Sequence, residues 1–324
     1  MRTPRSFLHI LSAAVLACSL LVCGSVKAAD AANAIRGRVV CLETGRPLAH
    51  AIVAFSESVI TGTEIPAGTT VAETADDGTF TLAHVAGSHL AVFARDGHAV
   101  LHKRVMLAES ATMLGDLALA MPTASERAWL ALVNADRAKY GSAPLQFDAA
   151  ALVAARGYAN AMAGNGQYSH DGKDGSTHVS RYEAAGGVPP RRLGENIDTL
   201  AIDYTATPAT WQAAEARFMA ESKNCTSRAA CQYVDDPTGV RTTGHFLNLT
   251  DPSYVWVGLG IAKGRNPANV ASAQAQYAYF DQEFFGSIEA RAWRQRHDAF
   301  LTDVQDRPWR LHCRAPSVAR SFDS

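Results

Sequence analysis

The sequence has no excess of either charge sign, and this limits the classes of protein that it can encode. Its 324 residues include 30 Lys and Arg against 31 Asp and Glu, which gives a formal net charge of -1 at pH 7. No block of like charge forms a tail or an electrostatic membrane patch. The overall charge balance therefore gives no support to a nucleic-acid partner.

The sequence also lacks the short motifs of common catalytic and nucleotide-binding sites. It contains no Gly-x-Ser-x-Gly elbow, no His-Glu-x-x-His pair and no P-loop. Gly258 and Gly260 lie within a strand-like pattern, and Lys263 stands where a dinucleotide-binding loop needs its third glycine. We interpret these two glycines as packing positions.

Long apolar runs are absent apart from one at the start of the chain. Arg2 and Arg5 precede an apolar stretch over residues 7–23, and Val26-Lys27-Ala28 resembles a cleavage site. Residues 1–29 are therefore predicted to be a signal peptide, and the mature chain is predicted to be secreted or extracytoplasmic without a transmembrane span. The alternative is a lipoprotein anchored through Cys18.

Cysteine is scarce, with six in the chain, of which four follow the predicted leader. In an oxidising compartment these four allow three pairings. Cys225 and Cys231 are close together in a polar, loop-like segment, so we predict a local disulfide between them. Cys41 and Cys313 would then join the tail to the first domain, unless both are free buried thiols.

Residues 35–119 show short alternating strands separated by turn residues, which predicts an all-β sandwich. Asp77-Gly78 between β-type residues predicts a hairpin turn. The motifs Gly37-Arg-Val-Val, Gly45-Arg-Pro-Leu-Ala-His-Ala-Ile-Val, Thr74-Ala-Asp-Asp-Gly-Thr-Phe and Arg95-Asp-Gly-His resemble those of the carboxypeptidase regulatory-like domain, a transthyretin-like β-sandwich. The resemblance implies an accessory role, and no nucleophile or metal-ligand cluster is predicted here.

After a linker over residues 120–125, the pattern changes to helices. Thr123 and Glu126 fit a capping box at the start of the first helix. A second, alanine-rich helix ends at Gly164-Asn165-Gly166, and Thr207-Pro208 is predicted to open a third after a long irregular stretch. Strand patterns follow at residues 255–262 and 276–282. Because the helical patterns come before the strand patterns, we predict an α+β domain, or a three-layer α-β-α domain.

A series of motifs in residues 126–285 resembles the CAP superfamily of cysteine-rich secretory and pathogenesis-related proteins. They are, in the family's order, Leu132-Val-Asn-Ala-Asp-Arg137, Tyr168-Ser-His170, Gly194-Glu-Asn-Ile197, Gly244-His-Phe-Leu-Asn-Leu249, Val257-Gly-Leu-Gly260 and Tyr279-Phe-Asp-Gln-Glu-Phe284. The resemblance implies an N-terminal all-β sandwich followed by a three-layer α-β-α CAP-like domain. Residues 286–324 extend beyond it, and we predict a helix followed by a tail there.

The resemblance also implies a cleft formed by two histidines and two glutamates. His170, Glu195 and His245 match the family's positions directly. The second glutamate normally follows a tryptophan by three positions, and Glu221 follows Phe218 instead. Glu215, four residues after Trp211, is the alternative.

Three functions are compatible with these four residues. His170 and His245 could bind zinc or another divalent cation while Glu195 and Glu221 orient them. A hydrolase could use Glu195 as the general base and His245 to polarise the substrate, although no nucleophile is evident. The third alternative is a structural polar network, with function carried by surface interactions.

The CAP resemblance further implies a lipid, sterol or other small apolar ligand, or an extracellular protein partner. Rare members of the family are associated with proteolysis. We expect a secreted, non-catalytic binding module. The resemblance determines the fold of the chain better than its activity.

Overall fold

The computed structural model describes residues 34–56, 69–83, 87–107, 112–188, 190, 192–202, 210–234, 241–265 and 276–286. All of these residues lie in one compact unit. The predicted leader with Cys18 lies outside the described residues. The predicted C-terminal helix and tail, including Cys313, lie outside them as well.

The N-terminal part forms two β-sheets that share one hydrophobic core. Its strands are β1 (Ala34–Cys41), β2 (Ile52–Ser56), β3 (Thr70–Glu73), β4 (Thr79–Ala83), β5 (Gly87–Ala94), β6 (Leu101–Leu107) and β7 (Thr112–Leu119). One sheet has the order β4-β1-β7 and the other β3-β2-β5-β6. Ile35 and Leu117 of the first sheet pack with Val53 and Phe93 of the second. The predicted β-sandwich is confirmed.

The predicted hairpin at Asp77-Gly78 is wrong in one respect. The turn is present, with Gly78 at a positive φ of 76°. However, β3 pairs with β2 while β4 pairs with β1, so the turn carries the chain from one sheet to the other. A local turn motif specifies the reversal of the chain but not the partner of each strand.

The second part is a four-stranded sheet with helices on both faces. Its elements are α1 (Ala124–Lys139), β8 (Gln146–Phe147), α2 (Ala149–Asn165), α3 (His178–Ala184), β9 (Leu193–Ile202), α4 (Trp211–Ala220), a 3₁₀ turn (Glu221–Asn224), α5 (Gly244–Thr250), β10 (Tyr254–Arg265) and β11 (Gln276–Gly286). The sheet order is β8-β10-β11-β9, which places β9 at one edge. Helix α2 packs on one face, and α1, α4 and α5 pack on the other. The predicted α-β-α architecture is confirmed.

The two long helices begin and end as their sequences indicate. Thr123 accepts a hydrogen bond from the backbone N–H of Glu126, and the Glu126 carboxylate accepts one from the N–H of Thr123, which completes the predicted capping box. Asp148 caps α2 by accepting from the N–H of Ala151. Gly166 ends α2 at a φ of 59°, a left-handed conformation that glycine adopts without strain.

Helix α2 lies directly against β10 because that strand carries glycines at the contact. A Cβ atom on Gly258 would lie 2.0 Å from the carbonyl oxygen of Ala151, and one on Gly260 would lie 2.1 Å from that of Ala155. These glycines are packing positions, as predicted. The close contact brings α2 over the sheet next to β9 and β11, where the polar residues of the candidate site lie.

Three segments of the chain differ from the sequence-based prediction. Helix α4 begins at Trp211 with Thr210 as its N-cap, rather than at Thr207-Pro208. Residues 168–202 were predicted to be irregular, but they include helix α3 and the ten-residue strand β9. The segment with His245, just before the predicted strand at residues 255–262, forms helix α5, which the sequence pattern did not indicate.

The sandwich and the α-β-α part meet at a junction that buries polar side chains. His102 of β6 and Asp148 at the start of α2 are 0% and 1% exposed, and their Nδ1 and Oδ2 atoms lie 2.7 Å apart. The imidazole of His102 also packs against the Trp256 ring at a centroid distance of 4.4 Å. Backbone hydrogen bonds link Val100 with Phe147 and Ala149 across the same contact.

Candidate functional site

The first histidine of the predicted cleft is paired with the first glutamate. His170 lies in the loop between α2 and α3, and its Nδ1 atom is 2.5 Å from Oε2 of Glu195 on edge strand β9. The His170 side chain is 55% exposed, whereas the Glu195 side chain is 2% exposed. The carboxylate is therefore an anchor beneath an imidazole that faces solvent.

Arg181 of α3 holds the other oxygen of the same carboxylate. Its guanidinium donates to Oε1 of Glu195 and to the backbone oxygen of His170. It also lies over the ring of Tyr158 of α2, with 3.4 Å between Cζ and the ring centroid. Arginine thus neutralises part of the buried negative charge and fixes the position of the loop that carries His170.

The second histidine is paired with the second glutamate. Nδ1 of His245 lies 2.6 Å from Oε1 of Glu221. Oε2 of Glu221 accepts hydrogen bonds from the backbone N–H groups of His245 (2.9 Å) and Phe246 (3.2 Å) at the start of α5. The pKa of Glu221 is lowered overall, because these hydrogen bonds outweigh the effect of burial, which raises it.

Glu215, the alternative to Glu221, lies in a different environment. It is 1% exposed, and its Oε2 atom accepts hydrogen bonds from the indole N–H of Trp129 and the amide of Gln282. Glu215 thus faces the core between α4 and the sheet. Helix α4 ends at Ala220, so Glu221 begins the 3₁₀ turn and contacts His245.

Phe218 stands where the CAP pattern has tryptophan, and its ring lies against His245. The two ring centroids are 4.7 Å apart, with an interplanar angle of 38°. Phe218 is 2% exposed and belongs to the main core of this part. The phenyl ring of Phe218 therefore packs against the imidazole of His245 at the position where the CAP pattern has an indole.

Two asparagines connect the histidine–glutamate pairs. The Asn196 amide donates to the backbone oxygen of His245 (3.2 Å), and the Asn248 amide donates to the backbone oxygen of Glu195 (3.2 Å). Asn248 also donates to Oδ1 of Asn196 at 2.9 Å. The structure therefore joins the four predicted cleft residues as two pairs on either side of a shared asparagine bridge.

Asp198 adds a further acidic group near the second pair. Burial raises its pKa to about 6, although Arg217, Thr199 and, to a smaller extent, His245 act to lower it. Its Oδ1 atom lies 3.3 Å from Nη1 of Arg217. The edge of the sheet around His245 therefore contains both charge signs in close contact.

Sequence reasoning missed a group of three buried carboxylates. Glu195, Asp281 and Glu283 offer oxygen atoms that all lie within 4.8 Å of one another. Burial and the neighbouring carboxylates raise the pKa values of Asp281 and Glu283 well above their ordinary range. The available signal was two acids spaced two residues apart in a strand with no other charged residue, which places both on one face.

A groove lies between α2 and α3, beside the first pair. Its volume is about 770 Å³, and its lining includes Val153, Met162 and Ala185 together with Tyr158 and Arg181. The predicted lipid or other apolar ligand stays a prediction, because the shape of a groove does not identify its occupant.

The cysteines agree with the prediction in part. Cys225 and Cys231 form a disulfide, with a Cα–Cα distance of 4.9 Å, in the segment between Glu221 and His245. Cys41 is a buried free cysteine whose Sγ lies 3.4 Å from Oε2 of Glu43. The predicted Cys41–Cys313 disulfide is therefore not formed in this structure, and Cys313 lies outside the described residues.

The fold and the paired histidines and glutamates define this part of the chain as an α-β-α domain with a polar cleft at the sheet edge. Residues 130–280 match the family model described as "Cysteine-rich secretory protein family", abbreviated CAP. This part of the chain is a CAP domain. No curated protein matches the chain.

The solved structures that resemble the chain are distant. An extracellular protein containing an SCP domain from Bacillus anthracis is 16% identical with a TM-score of 0.34, and the match covers 72% of this chain and 68% of that one. Venom allergen-like protein 4 from Schistosoma mansoni is 13% identical with a TM-score of 0.33, covering 51% and 90%. Hydroxyquinol 1,2-dioxygenase from Pseudomonas putida is 10% identical with a TM-score of 0.22, covering 28% and 57%. At these scores the likenesses support no conclusion about function.

Among the helices of the described residues, none has both the length and the apolar character that crossing a membrane requires.

Proposed function

We propose that the chain is an exported binding module that holds a divalent metal ion, such as Zn²⁺, between His170 and His245. The observation that carries the proposal is that each imidazole is fixed through Nδ1 by a buried carboxylate. His170 lies 2.5 Å from Glu195, and His245 lies 2.6 Å from Glu221. Metal-binding histidines are typically oriented by such a carboxylate partner.

The carboxylate contacts favour a protonation state in which each imidazole can bind a metal ion. A carboxylate that accepts from Nδ1–H selects the tautomer whose Nε2 atom carries a free lone pair, and that atom is the metal ligand. Both imidazoles reach solvent, with side-chain exposures of 55% for His170 and 24% for His245. Each carboxylate contacts the Nδ1 side of its histidine, opposite the proposed ligand atom.

The bound metal would supply a Lewis acid that retains open coordination positions, because only two protein nitrogens are proposed as ligands. Glu195 and Glu221 would hold the rings in place and offset the positive charge. Arg181, by contrast, would limit the affinity, because its guanidinium binds the same carboxylate that orients His170. The proposed activity is binding without turnover.

Two features support an extracytoplasmic location. The Cys225–Cys231 disulfide is of a kind that persists in oxidising compartments. The first 29 residues also have the pattern of a secretory leader, although they lie outside the described residues.

Calorimetric titration of the full, chelator-treated chain with ZnCl₂ tests the proposed site. We expect one site in the wild type and no measurable binding at that site in His170→Ala or His245→Ala. Glu221→Gln should weaken binding about 10- to 100-fold, the usual effect of removing the carboxylate partner of a ligating histidine.

The matched control is His50→Asn. His50 is also an exposed histidine with its Nδ1 atom 2.5 Å from a glutamate, Glu73, but it lies in the sandwich. Asparagine suits its φ of 57°. This control should bind Zn²⁺ like the wild type, and equal affinity in the wild type and both alanine variants would remove the proposal.

A further inference from the structure

Strands β9 and β11 place three acidic side chains on one face of the sheet. Glu283 is directly opposite Glu195 in the antiparallel register, and Asp281 is opposite Ile197. Residues two apart on a strand point to the same face, so Glu195, Asp281 and Glu283 all face helix α2. We refer to these three residues as the carboxylate cluster.

The cluster lacks the hydrogen-bond donors that buried carboxylates need. Asp281 and Glu283 are both 0% exposed, and within the described part of the chain no donor meets hydrogen-bond geometry with any of their four side-chain oxygens. Buried polar atoms are rarely left without partners, and each such group needs a specific explanation. The missing partner must be a proton, a water molecule or a cation.

Arg181 is the cation already present at the cluster, but it does not satisfy Asp281 or Glu283. Its Nη atoms bond to Glu195 and to the backbone oxygens of His170 and Ser176. Its Nε atom lies 3.9 Å from Oε1 of Glu283, beyond hydrogen-bond distance. Three ionised carboxylates and one guanidinium carry a formal charge of -2, which one divalent cation would neutralise.

We propose that Glu195, Asp281 and Glu283 bind a hard divalent cation of the Ca²⁺ class, at a site separate from the histidine nitrogens. The ligand set is entirely oxygen, which suits Ca²⁺ or Mg²⁺ better than Zn²⁺. Ca²⁺–oxygen distances of about 2.3–2.6 Å allow ligand oxygens to lie up to about 5 Å apart, whereas Mg²⁺ requires about 4 Å. The oxygens of the cluster lie within 4.8 Å of one another, which is close enough for one ion to contact all three carboxylates.

The groove between α2 and α3 lies next to the carboxylate cluster. Tyr158 and Arg181 line that groove. Arg181 also contacts Glu195 and lies 3.9 Å from Glu283, so its side chain lies between the groove and the cluster. Waters from the groove could complete the coordination that three carboxylates leave open.

Glu195 belongs to both sites, because it anchors His170 and faces the cluster. The two proposals nevertheless depend on different atoms. The zinc proposal depends on the imidazole nitrogens, and the present one on the oxygens of Asp281 and Glu283. Each can therefore fail without the other.

Calorimetric titration with CaCl₂ and MgCl₂, together with thermal unfolding of the full, chelator-treated chain, tests the proposal. We expect one Ca²⁺ per chain with a dissociation constant on the order of 10⁻⁴–10⁻³ M, as in extracellular modules, and weaker binding of Mg²⁺. Asp281→Asn and Glu283→Gln should each weaken Ca²⁺ binding by at least about 10-fold. Glu183→Gln, which changes an exposed acid on α3 two residues from Arg181, should bind Ca²⁺ like the wild type.

Thermal unfolding provides a second measurement that does not depend on tight binding. Without metal, Asp281→Asn and Glu283→Gln should unfold at a higher temperature than the wild type, because each removes an unpaired buried acid. Added Ca²⁺ should raise the unfolding temperature of the wild type but not of these variants. His170→Ala and His245→Ala should keep the response to Ca²⁺ even though they lose the response to Zn²⁺.

Two outcomes would overturn the carboxylate site. The first is a wild-type chain whose unfolding temperature and calorimetric heats do not respond to millimolar Ca²⁺, which would mean that protons alone occupy the cluster. The second is Ca²⁺ binding of equal strength in the wild type, Asp281→Asn and Glu283→Gln, which would place the ion elsewhere.

Discussion

Glu215 lies on the face of the sheet opposite the carboxylate cluster, and its carboxyl group is almost completely removed from water. Burial raises its pKa to about 7, and the hydrogen bonds from Trp129 and Gln282 offset that rise only in part. Its Oε1 atom has no hydrogen-bond partner among the residues that the structure describes. The folded protein therefore favours the protonated, neutral form of this side chain below about pH 7.

This raised pKa predicts a specific pH dependence of stability. The folded pKa of about 7 exceeds the ordinary value of 4.5, so the stabilising contribution of the proton is fully present below about pH 4.5 and is lost as the pH rises to about 7. Glu215→Gln is neutral at every pH and lacks this dependence. Relative to the wild type, the variant should gain about 3 kcal/mol of unfolding free energy between these pH values.

Urea denaturation at about pH 4.5 and about pH 8 measures this gain. Glu183→Gln, which changes an exposed acid, should differ from the wild type by the same amount at both pH values. A Glu215→Gln difference that does not change with pH would show that the Glu215 carboxyl is not held neutral by burial.

The sequence predicted which residues form the candidate site, but not which side chains each of them contacts. His170, Glu195 and His245 were placed by short motifs, because these motifs occur in a fixed order. The choice between Glu215 and Glu221 depended on where α4 ends, and helix ends are poorly defined by local pattern. Asp281 and Glu283 were treated only as part of a strand, since their roles depend on the register with β9.

At the scale of elements, the contact of α2 with β10 shows what composition alone can specify. Alanines on the helix and glycines on the strand predicted close packing, and the carbonyl oxygens of Ala151 and Ala155 occupy the space where a Cβ would stand. Gly157 lies on the same helix, but a Cβ there would meet nothing within 4 Å. The same substitution should therefore have opposite effects at these two kinds of position.

Gly260→Ala should destabilise the protein by about 3 kcal/mol, because the backbone of α2 cannot rotate away from the added methyl group as a side chain could. Gly157→Ala should stabilise it by about 0.5–1 kcal/mol, because alanine favours the helix. Urea denaturation of the two variants beside the wild type measures both effects. Similar effects at both positions would show that α2 does not pack on the strand as closely as described.

Strand β9 and helix α5 were not predicted, for different physical reasons. Along β9, polar side chains are buried on both faces, with Glu195 on one and Asn196 and Asp198 on the other, so no apolar alternation marks the strand. Helix α5 has only seven residues, and the carboxylate that accepts its first N–H groups comes from Glu221, well before it in the chain. Long-range partners of this kind leave no local signal.

At the scale of the whole molecule, the junction decides whether the sandwich and the CAP domain behave as one unit. Besides the buried pair of His102 and Asp148, Arg156 of α2 contacts Glu43 of the sandwich at 2.9 Å and Glu126 of α1 at 2.7 Å. The pKa of Arg156 is raised overall, since burial lowers it but the two carboxylates outweigh that effect. Charges that are shared in this way couple the stabilities of the two parts.

A substitution in the sandwich should therefore destabilise the CAP domain. His102→Ala removes one partner of the buried pair and leaves a carboxylate oxygen of Asp148 without its hydrogen bond, which should cost about 3–5 kcal/mol. All five tryptophans lie in the chain from residue 129 onward, so none belongs to the sandwich. Because Trp256 contacts His102 at the junction, the midpoint of the transition rather than the fluorescence intensity is compared. We expect the loss to be visible in the urea transition followed by fluorescence.

The control is again His50→Asn, because His50 forms an exposed pair with Glu73 on the sandwich, away from the described junction contacts. Exposed ion pairs contribute about 0–1 kcal/mol, so this variant should leave the fluorescence transition nearly unchanged. If His102→Ala also left it unchanged while circular dichroism showed an earlier loss of strands, the sandwich would unfold independently. A shared shift of both signals would instead mean that the accessory sandwich stabilises the helical and sheet framework on which the histidine–glutamate pairs and the carboxylate cluster depend.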